Sequence, residues 1–379
     1  MRSMSLVSES ATPCGVEAFA RGLATHLAAG APGAHAVARL PDGLSSLASL
    51  GRLMAAYDTL IVNLPLVAWK RRLVMPLVVL AWARLRRRNT ALMLHEWADL
   101  DWKRRALLRV YVPFATRLLF SSPHVAAQFA GDRVSFIASS RRDILPIPLN
   151  VARPAVLAKT AVARQLGEAR ADGRFVLGHF GSIYPKKQSD QVLEIAAALK
   201  RQGCPVQVAL IGDFVDRSEL SRAGFEARAA AMGLAGDVLI SGYIKSPAEL
   251  YAALEAVDLF VYRFAEGLTS RRGSVMTCLA AGRPVVVNAP ADAKEFDHHR
   301  SYREQIAGHR LRLAASGASV AEMAASILEW RRDGFDTAGA PTVDFAAAWD
   351  DVVAAVLREP VAAGTPKRDC PGSTPAEFR

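Results

Sequence analysis

Residues 174–182 read RFVLGHFGS, a short apolar run that ends in a glycine loop. Such a run, closed by a turn residue, reads as a buried strand. The next segment, SDQVLEIAAALKRQG (189–203), opens on a serine and stops at a glycine, as a capped helix does. Working outward, strand VQVALIGD (206–213) precedes a helix over ELSRAGFEARAAAMG (219–233), and strand DVLISGYI (237–244) precedes helix SPAELYAALEAV (246–257). Strand DLFVYRF (258–264), a helix over RRGSVMTCLAAG (271–282) and strand RPVVVN (283–288) continue the series. Strands and helices that alternate in this way predict an α/β fold, with a doubly wound parallel sheet covered on both faces.

The first half repeats the pattern. An apolar start, Met4 to Val7, runs into the loop SESATPCG (8–15). The helix pattern VEAFARGLATHLAAG (16–30) has Phe19, Leu23 and Leu27 four apart and ends at Gly30. YDTLIVNLP (57–65) and TALMLHEW (90–97) read as buried strands, and ATRLLFSSPHVAAQF (115–129) as strand, turn and helix. From Pro146 to Ala171 the pattern loosens, which marks a linker. The expected organisation is a Rossmann-like domain over 1–160 and another over 161–340. A helix within 341–359 (DFAAAWDDVVAAVL) is expected to cross back to the first, and 360–379 to be a disordered tail. Two such domains facing each other place a cleft between the carboxyl ends of their strands.

Composition narrows the function. A chain of 379 residues exceeds what one core usually organises, and 51% hydrophobic with 22% charged residues excludes a disordered or collagen-like chain. Cys14, Cys204, Cys278 and Cys370 lie far apart, which argues for reduced thiols and against a zinc site. No apolar run reaches the roughly 20 residues that span a bilayer, and MRSMSLVSES has no apolar signal core, so a cytoplasmic location is expected. The net charge is +11, and residues 1–150 carry 19 Lys/Arg against 9 Asp/Glu. Seven of these bases fall in WKRRLVMPLVVLAWARLRRR (69–88). Its aliphatic centre lacks the interleaved aromatics of a nucleic-acid strand binder. Trp69 and Trp82 beside basic flanks suit an anionic membrane surface; the alternative is a helix packed inward with solvated arginines.

Four segments carry candidate chemistry. In GHFGSIYPKKQSDQVLEIA (178–196) a glycine loop and a helix start, with Lys186 and Lys187, suggest a phosphate site or an ordinary surface loop. In FAEGLTSRRGSVMTCLAAGRPVV (264–286), Glu266 and Gly267 end a strand, and Ser270, Arg271, Arg272 and Ser274 begin a helix. Two arginines at a helix amino end make a diphosphate cradle, unless both are solvated. TPCGVEAFA (12–20) puts Gly15 where a ligand can approach the backbone. LMLHEWADLD (92–101) puts His95 at a strand end, as a structural residue or as an acid–base or orienting group.

Taken together these segments resemble a retaining glycosyltransferase of the GT-B fold, similar to glycosyltransferase family 4 (glycosyl transferases group 1). GHFGSIYPKKQ, ALIGD, LISGYIKSPAELYAALEAVDLFVYR, EGL and LAAGRPVVV follow in the family order, after CGVEAFARGLATHL and LHE in the first half. The resemblance implies that Lys187 holds a donor diphosphate, with Ser182 where an arginine partner is usual. It implies that Gly15 approaches the phosphates from the opposite domain, and that Gly242, Tyr243 and Ile244 lie against the base. Glu266 would touch the donor sugar. The second glutamate of the family's E-x7-E pair is absent, and counting forward gives Ser274 while counting back from Gly282 gives Thr277. TSRRGS resembles a variant among bacterial polysaccharide glycosyltransferases in which Arg271 and Arg272 contact the diphosphate.

The implied reaction transfers a sugar from a nucleotide-diphosphate sugar, with retention and without metal or other cofactor, in surface polysaccharide or glycolipid assembly. Charge that builds on the leaving diphosphate is met by Lys187, the arginine pair and helix amino ends. His95 orients acceptor or donor. The basic first domain suits a polyprenyl-diphosphate-linked acceptor at the inner face of the plasma membrane, and nucleic acid is not an expected partner. The rival readings are a non-catalytic GT-B-like partner subunit, favoured by the missing glutamate and by Ser182, and a nucleotide-sugar epimerase.

Overall fold

The computed structural model describes residues 1–8, 15–40, 47–65, 74–138, 140–184, 188–214, 221–335, 337 and 340–358. The expected tail, 360–379, lies outside these residues. Among the described residues the first domain holds strands β1 (Ser3–Val7), β2 (His35–Arg39), β3 (Thr59–Leu64), β4 (Asn89–Leu94), β5 (Arg117–Phe120) and β6 (Arg141–Ile144). They form one sheet in the order β2-β1-β3-β4-β5-β6, with every pair parallel. Helices α1 (Gly15–Gly30), α2 (Leu47–Met54), α3 (Val74–Leu85), α4 (Trp102–Tyr111) and α5 (Pro123–Ala130) connect them. β1, β3 and β4 are buried along nearly their whole length because helices cover both faces.

The second domain starts with α6 (Ala161–Ala171), which lies inside the stretch read as linker; Thr160 caps it by accepting from the Ala163 amide. Then follow β7 (Phe175–Phe180), α7 (Gln191–Arg201), β8 (Val206–Ile211), α8 (Arg222–Ala231), β9 (Val238–Ile240), α9 (Pro247–Glu255), β10 (Leu259–Tyr262), α10 (Gly273–Ala280), β11 (Val285–Asn288), α11 (Arg300–Ala307), β12 (Leu311–Ala314) and α12 (Val320–Arg332). The parallel order is β12-β11-β10-β7-β8-β9. The β12 step was not read from the sequence, because LRLA is short and flanked by polar residues.

The order reverses between β1 and β3 in one sheet and between β7 and β10 in the other. In doubly wound sheets the crevice at such a switch point takes the ligand. The last helix, α13 (Phe345–Leu357), returns to the first domain. Its Trp349 stacks on Phe19 at 5.6 Å and on His26 at 4.6 Å. Gly22 of α1 makes room for it: a Cβ there would sit 2.5 Å from the indole ring.

Of the basic segment 69–88, residues 69–73 lie outside the described residues. Residues 74–85 of it form α3, whose Pro76, Val79, Leu80 and Ala83 are buried. Trp82 packs onto α2, where a Cβ on Gly51 would meet its ring at 2.5 Å, and Arg86 lies 5.1 Å over the same ring. This part of the segment therefore turns much of its apolar surface inward, although Val74 and Leu85 stay exposed. Among the described residues no helix is long and apolar enough to cross a membrane.

Candidate active site

On the first-domain side, Asn63 is the last residue but one of β3, and His95 directly follows β4. His95 Nε2 lies 3.2 Å from Asn63 Oδ1, and the imidazole meets Phe19 edge-on at 5.2 Å. Burial, and secondarily the Arg271 charge, lower the His95 pKa to about 3. The ring is therefore neutral near pH 7. With Nε2–H donated to Asn63, it can orient a hydroxyl but carries no proton to give from a cationic form. Gly15 opens α1, and a Cβ there would come 3.8 Å from the Asn150 amide nitrogen in the linker. In the first turn Glu17 accepts from the Ser8 amide at 3.0 Å and the Ser8 hydroxyl at 2.9 Å, tying α1 to the end of β1.

On the opposite side the β7 and β8 loops touch through glycine. Gly212, at φ +152°, would place a Cβ 2.2 Å from the Gly181 carbonyl oxygen, so no side chain fits. The Tyr262 hydroxyl braces this loop, accepting from the Phe180 amide at 3.2 Å and donating to the Phe180 carbonyl at 3.1 Å. Ser182 is exposed just beyond. Lys187, with Lys186, lies outside the described residues.

The arginine segment follows β10. Gly267 (φ +77°) turns the chain where a Cβ would lie 2.1 Å from the Ala289 carbonyl oxygen. This places Glu266 against both arginines: Arg272 donates to its carboxylate, and Arg271 Nη2 is 3.8 Å away. The Arg272 guanidinium lies 4.3 Å over the Phe264 ring, and its carbonyl accepts from the Tyr302 hydroxyl at 2.9 Å. Arg271 crosses the cleft, donating to the His95 carbonyl at 3.2 Å and to Asp99 at 2.9 Å. The Nε atoms of both arginines are buried without a hydrogen-bond partner. Two guanidinium groups with donors left over, at the start of α10 and beside a switch point, are equipped to take an anion.

Two of the expected phosphate contacts are engaged elsewhere. Ser270 is 1% exposed, and both its amide and its hydroxyl are spent on Glu295, at 2.7 and 2.9 Å. Its hydroxyl braces the loop and does not face a ligand. Ser274 lies one position into α10, with its hydroxyl bonded to Tyr262. Further along the sheet Gly242 (φ +70°) turns the chain and Tyr243 is 60% exposed, while Ile244 packs on the core. Tyr243, Ile244 and Lys245 line a groove of about 590 Å³ with Lys159 and Thr160.

Asn63, Asp99 and Glu295 were not singled out in the sequence. Each acts through a partner distant along the chain, and no spacing signals that. Among the described residues no group of three His, Cys, Asp or Glu side chains is arranged to hold a metal ion.

Residues 174–333 match the family model of Glycosyl transferases group 1. No curated protein sequence matches the chain. Among solved structures, HepE from Anabaena in complex with UDP superposes with a TM-score of 0.60 at 18% identity, covering 93% of this chain and 95% of that one. The trehalose-6-phosphate protein from E. coli bound with UDP-2-fluoro glucose gives 0.59 at 11%, covering 93% and 94%. A glycosyltransferase from Rickettsia africae gives 0.57 at 11%, covering 93% of each chain. At these identities the likeness is one of fold. The chain thus has the GT-B fold, and its residues 174–333 are similar to the group 1 glycosyltransferases.

Proposed function

We propose that this protein transfers a sugar from a nucleotide-diphosphate sugar to a saccharide acceptor, with retention of anomeric configuration. The observation that carries the reading is the arginine pair. Arg271 and Arg272 stand at the head of α10, beside the switch point, with both Nε donors buried and unpartnered. Negative charge appears on the diphosphate as the sugar leaves, and cations fixed beforehand stabilise it more in the transition state than in the ground state. Protein cations thus supply what a bound metal supplies in other transferases. The exposed Tyr243 ring and the groove beside it suit the base, and Glu266, fixed by Arg272, suits a sugar hydroxyl. The UDP and UDP-sugar complexes of the HepE and E. coli folds favour a uridine nucleotide.

The acceptor side carries nearly all of the net charge, which favours an anionic, lipid-diphosphate-linked acceptor at the cytoplasmic membrane face. Surface polysaccharide or glycolipid assembly is the matching role, and the exposed Val74, Arg84, Leu85 and Arg87 of the 69–88 segment the membrane-facing part. A thermal-shift panel of UDP, GDP, ADP, dTDP and their sugar conjugates, with and without chelator, tests the reading, because a ligand of the folded state raises its melting temperature. One diphosphate raising it regardless of chelator is the expected result. A folded sample that responds to none at millimolar concentration overturns it in favour of a non-catalytic partner subunit.

A further inference from the structure

The segment that follows β11 underlies the arginine loop and reaches the other domain. The Leu268 amide donates to the Asn288 carbonyl at 2.9 Å, and Tyr302 holds the Arg272 carbonyl. Between these points stands Glu295, itself 1% exposed. Its Oε1 accepts from the Ser270 amide and hydroxyl, and its Oε2 accepts from the His124 amide at 3.2 Å. His124 is the second residue of α5, whose first-turn amides have no intrahelical acceptor. One carboxylate from the second domain therefore satisfies a helix amino end of the first domain and the residue just before the arginine pair.

We infer that Glu295 is a positioning residue that sets the register of the Arg271–Arg272 pair against His95 across the cleft. The inference rests on the donor-site reading given above. Arg271 meets the first domain at the His95 carbonyl on one side, and Ser270 meets it at α5 through Glu295 on the other. A loop anchored on both sides cannot rotate relative to His95 unless one anchor lets go. The Asp99 contact of Arg271 is half-exposed and its anchor must yield when Arg271 turns to a diphosphate. Glu295 is buried and contributes no atom to the arginine cradle, so it holds register while Arg271 exchanges partners.

The geometry makes the claim separable from mere packing. Gln at 295 has one acceptor oxygen, whereas both sides present a backbone N–H donor, so either the Ser270 or the His124 amide loses its acceptor whichever way the side chain turns, even if the Ser270 hydroxyl accepts from the new NH2 group. Asp keeps the charge but falls short by about 1.5 Å, one carbon–carbon bond, and cannot span both.

Hydrogen exchange of the full chain, read by mass spectrometry with and without UDP, tests this. In the unaltered protein UDP is expected to slow exchange in the peptide covering 269–276 and, through Glu295, in that covering 123–130. In Glu295→Gln and Glu295→Asp, one of the Ser270 and His124 amides should exchange at least tenfold faster without ligand. UDP should then protect 269–276 alone. Undiminished protection of 123–130 in both variants overturns the inference, as does unchanged exchange of both amides. If UDP, GDP, ADP and dTDP all leave the unaltered protein unchanged, the donor reading fails, while the ligand-free comparison still decides whether Glu295 joins the two domains.

Discussion

Arg271 belongs to the second domain, yet its guanidinium is 2.9 Å from the Asp99 carboxylate of the first. The arginine is 13% exposed and the aspartate 47%. An ion pair with one partner so open to water contributes little, roughly 1 kcal/mol or less. A diphosphate brings more charge and more acceptors to the same guanidinium, so it outcompetes Asp99 at modest expense. Asp99→Asn should tighten UDP binding by about two- to fivefold, the range that such a pair allows. Calorimetric titration showing weaker binding would mean that Asp99 supports the bound state.

Replacing Arg271 and Arg272 together by Ala should weaken nucleoside diphosphate binding at least about tenfold, the loss of more than one charge-assisted contact. His95→Ala should leave that binding within about twofold and abolish transfer, because the proposed role of the neutral ring is to orient acceptor or sugar and not to hold the diphosphate. Binding unchanged in the double variant, or transfer retained without His95, removes the corresponding assignment.

Gly267→Ala forces a side chain into a left-handed turn and against the Ala289 carbonyl. The two effects together should destabilise the protein by about 2–4 kcal/mol. For a domain of this size that lowers the melting temperature by roughly 5–15 °C. A variant that melts with the parent protein would show that the turn relaxes more freely than its contacts allow.

Acid should weaken the fold through three buried histidines. Burial lowers His95 to about 3, and His298 and His299 to about 4. As the pH falls below the ordinary histidine value of about 6.5, the unfolded chain takes up protons that the folded chain refuses. Stability then drops by up to about 1.4 kcal/mol per pH unit for each histidine. Glu295, raised chiefly by burial, works in the opposite sense: the folded state keeps its proton to higher pH than the unfolded chain, which offsets part of the acid loss. Melting temperature should fall between pH 7 and 5, and less steeply in His299→Asn. Equal slopes in the two proteins would assign the acid sensitivity to other groups.

The alternation of strands and helices, the facing domains and the returning α13 were legible because each leaves a local pattern of apolar residues and caps. β12 was too short to stand out, and α6 opens with no apolar stripe strong enough to separate it from the linker. Within the site, Glu266 and the arginines were legible from type and position. That Ser270 serves Glu295 was not, since 25 residues separate the partners and only the parallel stacking of β10 on β11 brings their loops together. Asn63 was hidden for the same reason: its role depends on β3 lying beside β4.

The slot that Gly22 leaves for Trp349 makes the chain pass between the two bodies twice, once through the stretch before α6 and once on the way to α13. A joint with two covalent crossings behaves as a door on two hinges: it swings about the line through both and resists twisting about any other. The first body is also incomplete without the last helix, since Phe19, Leu23 and Leu27 share a core with Trp349, Val352 and Val356. The folding unit of the first domain is therefore made from two stretches far apart in the chain, with the second domain inserted between them.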